Sequence, residues 1–259
     1  MPTLKAVIRY DGTGFAGWQV QPGQRTVQGV IEDALNSMAR LPIRIHGAGR
    51  TDAGVHALAQ VFSFQWPAAE SYNGLAKSLS KMLGPEIRVD RVEEAPDGFN
   101  ARTWAVGKHY AYALYPSAHP DPFLHRYAWR VNPSTDLGQI RALLEHIEGR
   151  HDFAGFQGSK SSVTSTVRTI HEATLREGAV VGPCDANPVH HIRFHGDGFL
   201  YKMVRNLTGM LVEIARGRMP EEALHERLNA PAPYHGHTAP GRGLTLLGVD
   251  YAEGDGTRT

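Results

Sequence analysis

The sequence predicts an α+β protein made of two α/β domains, and three observations support this fold class. Strand and helix patterns mix within about the first 100 residues, as they do in α/β domains. The stretch "APDGFNAR" at 95–102 then interrupts them with Pro, Gly and Asn, which places a domain boundary near residue 105. Finally, "IRYDGTGF" at 8–15 resembles "IRFHGDGF" at 192–199, and each segment ends a strand-like run. This repeat favours two related halves packed around a shared cleft.

The first domain, residues 1–105, is predicted to begin with a strand, because the run "LKAVIRY" ends in the turn signal "DGTG". A helix follows, since Thr26 is a good N-cap and apolar residues recur after it at helical spacing. These residues are Val27, Val30, Ile31, Ala34, Leu35 and Met38. The remaining elements are predicted as a short strand within 42–54, a strand over 58–66, a helix over 72–83 and a strand over 86–95.

The second domain, residues 106–251, opens with the alternating strand "WAVGKHYAYALYP" and a Pro-rich loop, "PSAHPDPFLH". The later elements are predicted as a helix over 135–149, strands over 167–177 and 189–196, helices over 197–217 and 220–230, and a strand over 244–251. Residues 252–259 have no apolar pattern and are expected to form a frayed tail.

Composition predicts a soluble, cytoplasmic protein. The chain of 259 residues is 41% hydrophobic, and no apolar run approaches the roughly 20 residues that a membrane helix needs. Its N-terminus has the pattern of neither a signal peptide nor a transit peptide. The single cysteine, Cys184, has no second cysteine for an internal disulfide and cannot by itself build a zinc or iron–sulfur site.

Charge and motifs exclude several classes of function. The formal net charge is only +1, so a nucleic acid would have to bind at a local basic patch. No G-x-S-x-G elbow is present, and "GSKSS" at 158–162 lacks the residue order of a phosphate-binding P-loop. Hydrolysis by paired carboxylates is disfavoured, because no acid follows Asp52 before Glu70.

Histidine-rich runs raise the question of a metal site. "HHIRFH" contains His190, His191 and His195, of which the last two share one face of a predicted strand, and "HGH" at 235–237 adds two more. Neither an H-E-x-x-H helix nor a carboxylate at ligand spacing accompanies them. We therefore expect surface or RNA-contacting histidines and no metal, and we keep a metal-dependent hydrolase as a distant alternative.

The stretch "GRTDAGVHA" at 49–57 sets Asp52 among small residues that permit close approach of a ligand. Because a free aspartate is ionised at neutral pH, Asp52 is able to attack carbon without an activating base. The alternative is a structural acid that accepts backbone N–H groups in an Asx-type turn. Arg50 and Arg205 are candidates to hold this carboxylate ionised and aimed, although Arg205 also fits a surface arginine on a helix.

Aromatic residues are candidates for stacking a base. In "KHYAYALY", Tyr110 and Tyr112 share one strand face with alanines on the other, and such a face either forms core or stacks an unpaired nucleotide. Trp18 in "FAGWQVQ" has the same two interpretations, and core packing is favoured.

Six motifs together resemble the tRNA pseudouridine synthases of the TruA type and occur in that family's order. They are "YDGTGFAGWQVQ", "GRTDAGVHA", "FNART", "KHYAYALY", "FLYKMVRNLTGML" and "APGRGLTLLGVDY", and they extend from Tyr10 to Tyr251. The combination of GRTDAGVHA with MVRN is highly specific. His109 is a departure, since many members carry a second basic residue at this position beside the tyrosine.

The resemblance implies the pseudouridine synthase fold, in which two α/β domains, each with a mainly antiparallel sheet and helices on one side, form a central, positively charged RNA-binding cleft. It also implies a homodimer that holds tRNA across both subunits and isomerises uridines 38, 39 and 40 of the anticodon stem-loop without a cofactor. Asp52 is then the nucleophile and Arg205 its partner. Tyr110 contacts the target uracil and is a candidate to remove its C5 proton, and Arg50 reaches toward the space that the displaced base leaves. The main alternative is a non-catalytic RNA-binding protein of the same fold.

Overall fold

The computed structural model describes residues 1–67, 72–159, 163–182, 188–229 and 235–252. Contacts divide the chain into two compact units. The N-terminal unit comprises Met1–Gly107 together with the chain from Leu246 onward, and the C-terminal unit comprises Lys108–Thr245. The predicted second domain, residues 106–251, instead includes the last strand. Cys184 and the predicted tail, apart from Ala252, lie outside the described residues.

The predicted helices and strands occur in the predicted order, and two short strands, Trp129–Val131 and Gly149–Asp152, were not predicted. They are β1 (Thr3–Tyr10), α1 (Val27–Ala39), β2 (His46–Gly47), β3 (His56–Gln65), α2 (Tyr72–Leu83), β4 (Ile87–Glu94), β5 (Ala105–Pro116), β6 (Trp129–Val131), α3 (Leu137–Leu144), β7 (Gly149–Asp152), β8 (Val167–Glu177), β9 (His190–Gly196), α4 (Met203–Ala215), α5 (Glu222–Asn229) and β10 (Leu244–Tyr251). This mixture of helices with mostly antiparallel strands confirms the predicted fold class. No helix within the described residues is long and apolar enough to cross a bilayer.

In the N-terminal unit, β1 lies between β4 and β3 and runs antiparallel to both. β3 also pairs with β2 and neighbours β10, so the last strand in sequence packs beside the first ones. The strand predicted within 42–54 is limited to β2, because the glycine-rich chain after Gly47 leaves the sheet as a loop.

The helix α1 forms for the reasons that its sequence predicts. The Thr26 side chain accepts a hydrogen bond from the Gly29 N–H and caps the first turn. Of the six predicted apolar positions, Val27, Ile31, Ala34 and Leu35 are buried, and Val30 and Met38 are partly buried. The helix therefore presents one apolar face to the interior.

One face of β1 packs against the irregular segment that follows β4. Val7 packs in a cluster with Val61 of β3 and Phe99 of the irregular segment 95–104. This cluster is closed by Tyr251, whose hydroxyl donates to the Ala101 carbonyl at 2.8 Å. The stretch "APDGFNAR" contains neither helix nor strand, and it covers this part of the sheet.

In the C-terminal unit, the strands follow the order β5, β9, β8 and β7 with antiparallel pairing, and β6 runs parallel to β5. The helix predicted over 135–149 is shorter, because α3 ends at Leu144. The helix predicted over 197–217 begins only at Met203. The reason is local, since Lys202 has a left-handed backbone with φ of 61° and does not continue a helix.

The burial of Tyr10 should make the protein less stable at alkaline pH. Burial raises the pKa of Tyr10 to about 12, although hydrogen bonds with Thr51 and Gln60 act in the opposite direction. An unfolded tyrosine loses its proton near pH 10, so the unfolded state binds fewer protons above that pH and the free energy of unfolding falls. We expect Tyr10 to account for a loss of about 2–3 kcal/mol between pH 10 and 12. Denaturant unfolding at each pH measures this loss.

The control for this measurement is the exposed Tyr201. Tyr10→Phe should flatten part of the alkaline decline, whereas Tyr201→Phe should leave it unchanged. Equal slopes in all three proteins would show that Tyr10 is not responsible.

Candidate active site

Asp52 lies in the loop between β2 and β3. The loop turns sharply after it, because the Val55 N–H donates to the Asp52 main-chain carbonyl at 3.1 Å and Gly54 has a left-handed backbone. Asp52 is partly exposed, and its neighbours Arg50 and Ala53 are exposed. The loop therefore presents these three residues to solvent.

Thr51 fixes the first half of the loop. It is buried, and its hydroxyl lies 2.8 Å from the hydroxyl of Tyr10 at the end of β1. Its carbonyl accepts the Trp18 N–H at 2.9 Å. Just before it, the Gly49 carbonyl accepts the Gln60 side-chain amide at 3.0 Å. Neighbouring residues are thus held on both sides of the Arg50 side chain.

His56 fixes the other end of the loop to the turn after β1. It is buried, and its Nδ1 accepts the Gly12 N–H at 3.0 Å while lying 3.2 Å from the Asp11 carboxylate. Gly12 leaves no room for a side chain, because a Cβ placed there would overlap the Val55 carbonyl. We call Tyr10, Asp11 and Gly12, with their contacts to Thr51, Val55 and His56, the loop clamp.

Trp18 supports the loop clamp from within the core. It is almost fully buried, packs against Tyr10 and Phe62, and covers Gly47 so closely that a Cβ there would overlap the indole ring. The favoured interpretation of Trp18 as a core residue is therefore confirmed.

No structural role was predicted for the residues of the clamp. "YDGTG" and "GRTDAGVHA" were noted as separate motifs, and their contact explains why both are present. The residue types in the two motifs could have predicted this contact. A buried histidine needs a hydrogen-bond partner, and a glycine-rich turn permits close approach of another segment of the chain.

Tyr110 and Tyr112 lie on one face of β5, as predicted, but their environments differ. Tyr112 is fully buried and donates to the Pro240 carbonyl at 2.6 Å. Burial raises the pKa of its hydroxyl, against the lowering effect of the Arg205 and Arg242 charges. Tyr112 is therefore a core residue. Tyr110 is also buried, but 8% of its surface remains exposed and its ring meets the Phe199 ring edge-on, with centroids 5.2 Å apart.

Arg205 is a half-buried residue near the start of α4. Its Nε donates to the Ala239 carbonyl at 2.7 Å, and its own carbonyl accepts the Ala239 N–H at 3.1 Å. These two bonds fix the side chain and backbone to the segment before β10. The alternative of an ordinary surface arginine does not describe this environment.

The four predicted site residues fall in both units. Arg50 and Asp52 share one loop of the N-terminal unit, and Tyr110 and Arg205 belong to the C-terminal unit. In the C-terminal unit, the Arg205 charge acts on the Tyr112 hydroxyl, the neighbour of Tyr110 on the same strand face.

The histidine runs have separate packing roles. Nδ1 of His191 is 2.7 Å from the Gly178 carbonyl, and its Nε2 accepts the Arg193 Nε–H at 3.0 Å. Burial lowers the pKa of this histidine, which matches the neutral ring that these bonds require. His195 stacks on His109 with centroids 4.0 Å apart, and His237 stacks on Trp129. Within the described ranges, His190, His191 and His237 join no group of three potential metal ligands.

Comparison with known proteins agrees with the motifs. The family model described as tRNA pseudouridine synthase matches residues 6–102 and 143–252. The chain belongs to the tRNA pseudouridine synthase family. Among proteins named tRNA pseudouridine synthase A, it is 39% identical to that of Solidesulfovibrio magneticus, over 97% of this chain and 92% of that protein. It is 39% identical to that of Bacillus subtilis (96% and 98%) and 34% identical to that of Geobacter sulfurreducens (97% and 100%).

Family membership confirms the sequence-based identification and the enzyme class, an isomerase. The matched segments of this synthase contain the loop clamp, Arg50, Asp52 and Arg205. Tyr110 lies between the two matched segments, although the full-length relatives extend across it.

Proposed function

We propose that Asp52 is the nucleophile with which this synthase converts uridine of tRNA to pseudouridine. The observation that carries the proposal is the loop clamp, which holds Thr51 and His56 in the interior and leaves Asp52 between them partly exposed. A carboxylate on a backbone that is held at both ends meets the geometric demand on a nucleophile, because small displacements from the reactive position slow a reaction strongly.

The reaction balances without a cofactor. The bond between N1 of uracil and C1′ of ribose breaks, the uracil turns, and a bond between C5 and C1′ forms. C5 loses its proton and N1 gains one, so the product is an isomer of the substrate. Asp52 attacks either C1′ or C6 of the uracil, and both routes need a base drawn out of its stack and a pocket that excludes water.

The other three residues are proposed to act on the same uridine. Arg205 pairs with the Asp52 carboxylate, and its anchoring by Ala239 supports a fixed position for the charge. Tyr110 contacts the uracil and is a candidate to remove the C5 proton. Arg50, which is exposed beside Asp52, reaches toward the space that the displaced base leaves.

The proposed targets are uridines 38, 39 and 40 of the anticodon stem-loop, and the proposed active form is a cytoplasmic homodimer. Pseudouridine mapping tests the targets, with tRNA from cells that lack the corresponding gene and from the same cells supplied with this chain. We expect pseudouridine at these positions to return with the chain. Return at other positions alone would contradict the assignment, and a monomer in light scattering would contradict the dimer.

Binding of tRNA should depend steeply on salt. The near-zero net charge requires clustered Lys and Arg to contact the phosphates, and such contacts release counterions. We expect tRNA affinity to fall about 100-fold between roughly 50 and 200 mM salt if about four phosphates are contacted. Filter binding at several salt concentrations measures the slope, and a flat response would refute a basic RNA-binding surface.

Chelation should leave the chemistry intact, because one carboxylate is sufficient for the proposed reaction. We expect pseudouridine formation on prefolded tRNA to change by less than about twofold after exhaustive chelation. Prefolded substrate matters, since tRNA itself uses magnesium to fold. Strict dependence on added zinc or magnesium for the chemical step would contradict a reaction that needs only the Asp52 carboxylate.

A further inference from the structure

The structure contains a cluster of metal-ligand side chains apart from the proposed catalytic residues. His146 follows α3, Glu221 precedes α5, and His225 lies on α5 one helical turn after Glu221. One ligand atom from each residue lies within 4.8 Å of the other two. The rings of His146 and His225 meet edge-to-face with centroids 4.5 Å apart. We propose that His146, Glu221 and His225 bind one divalent transition-metal ion, with zinc as the best-fitting probe.

The chemistry of the donors favours this class of ion. Two imidazole nitrogens and one carboxylate oxygen form a ligand set that zinc uses when it keeps an open position for water. Calcium and magnesium are disfavoured because they take oxygen ligands almost exclusively.

The distances require only a small closure around the ion. Zinc–ligand bonds of about 2.0–2.1 Å place neighbouring ligand atoms of a tetrahedral site roughly 3.4 Å apart. His146 and Glu221 are exposed and His225 is partly exposed, so rotation of their side chains is able to close the gap.

A neighbouring residue contacts the carboxylate. The Gln139 side-chain amide of α3 lies 3.4 Å from Oε2 of Glu221, which leaves the other carboxylate oxygen for a metal. Such outer contacts to a ligand support metal sites generally.

A bound ion would connect two separate segments of the C-terminal unit. His146 comes from the chain after α3, whereas Glu221 and His225 come from the start of α5 and its first turns. The ion would therefore hold α5 against the end of α3. This role is structural and independent of the proposed reaction, because none of the three ligands is a proposed catalytic or substrate-binding residue.

Zinc titration of the untagged full chain, stripped of metal beforehand, tests the site. At pH 7.5 we expect one zinc ion to bind with a Kd in the micromolar range, measured by competition with a chromophoric chelator. His146→Ala and His225→Ala should each weaken this binding at least about 10-fold, and Glu221→Gln should also weaken it. Glu222→Gln, on the same helix, and His235→Ala are matched controls that should leave it unchanged.

Thermal stability gives a second readout of the same site. At a zinc concentration 100-fold above Kd, the Tm of the parent should rise by about 5 °C, and the two histidine variants should lose this rise. Circular dichroism without zinc checks that each variant is folded. The proposal is overturned if no zinc binds at about 100 µM, or if the tightest bound zinc survives both histidine substitutions.

Discussion

Asp52→Asn should bind tRNA and fold like the parent but should form no measurable pseudouridine. The amide keeps the size of the side chain and removes the charge that makes it a nucleophile. Loss of a nucleophile costs enzymes about 10⁴-fold or more in rate, so we expect a decrease of at least that size. A quantitative pseudouridine assay on single-turnover reactions measures it.

Affinity and folding should survive the same substitution. Asp52 is partly exposed, and the contacts that fix its loop are made by Thr51 and His56. Phosphate contacts from other residues dominate RNA affinity, so the Kd for tRNA should change by less than about threefold. Asp33→Asn is the matched control, because Asp33 is an exposed acid on α1 and its loss changes the net charge equally. That variant should keep full activity.

Gly12→Ala should impair catalysis although Gly12 is distant in sequence from Asp52. The new Cβ would overlap the Val55 carbonyl, and backbone surrounds it on that side, so the loop itself has to shift. A displacement of about 1 Å at a reactive group lowers rates roughly 100-fold, which is the decrease in kcat that we expect. The Kd for tRNA should change little. Steady-state and single-turnover kinetics separate the two effects.

Gly23→Ala is the control for loss of a glycine elsewhere in the same unit. Gly23 has φ of +69°, and a Cβ there meets no atom within 4 Å, so this substitution strains the backbone without pushing on the loop. It should retain kcat close to that of the parent. Normal kcat in Gly12→Ala would mean that the loop clamp does not position Asp52.

Local periodicity predicted most elements well. The helix predicted over 72–83 and the strand predicted over 167–177 match α2 and β8 residue for residue, because side-chain spacing alone determines which face is buried. The start of α4 was predicted wrongly, because here the spacing of side chains does not determine the backbone conformation. The run after Asp197 has helical spacing, but the left-handed backbone of Lys202 is not visible in that spacing.

Contacts between segments that are distant in sequence were not predicted. The motif at 49–57 identified Asp52 and its loop, yet no spacing rule connects that loop to Tyr10 or Gly12. The group formed by His146, Glu221 and His225 was missed in the same way, because His146 is distant in sequence from the other two residues. Only folding brings such residues together.

Tritium release from tRNA labelled at C5 of uracil tests the central claim most directly, because that hydrogen leaves only when C5 becomes bonded to C1′. The parent should release tritium to water in step with pseudouridine formation, and Asp52→Asn should release none above background while still binding the labelled tRNA. Release by Asp52→Asn at a rate near the parent's would show that Asp52 is not the nucleophile. Tight binding by a parent that releases no tritium would instead favour a non-catalytic RNA-binding protein.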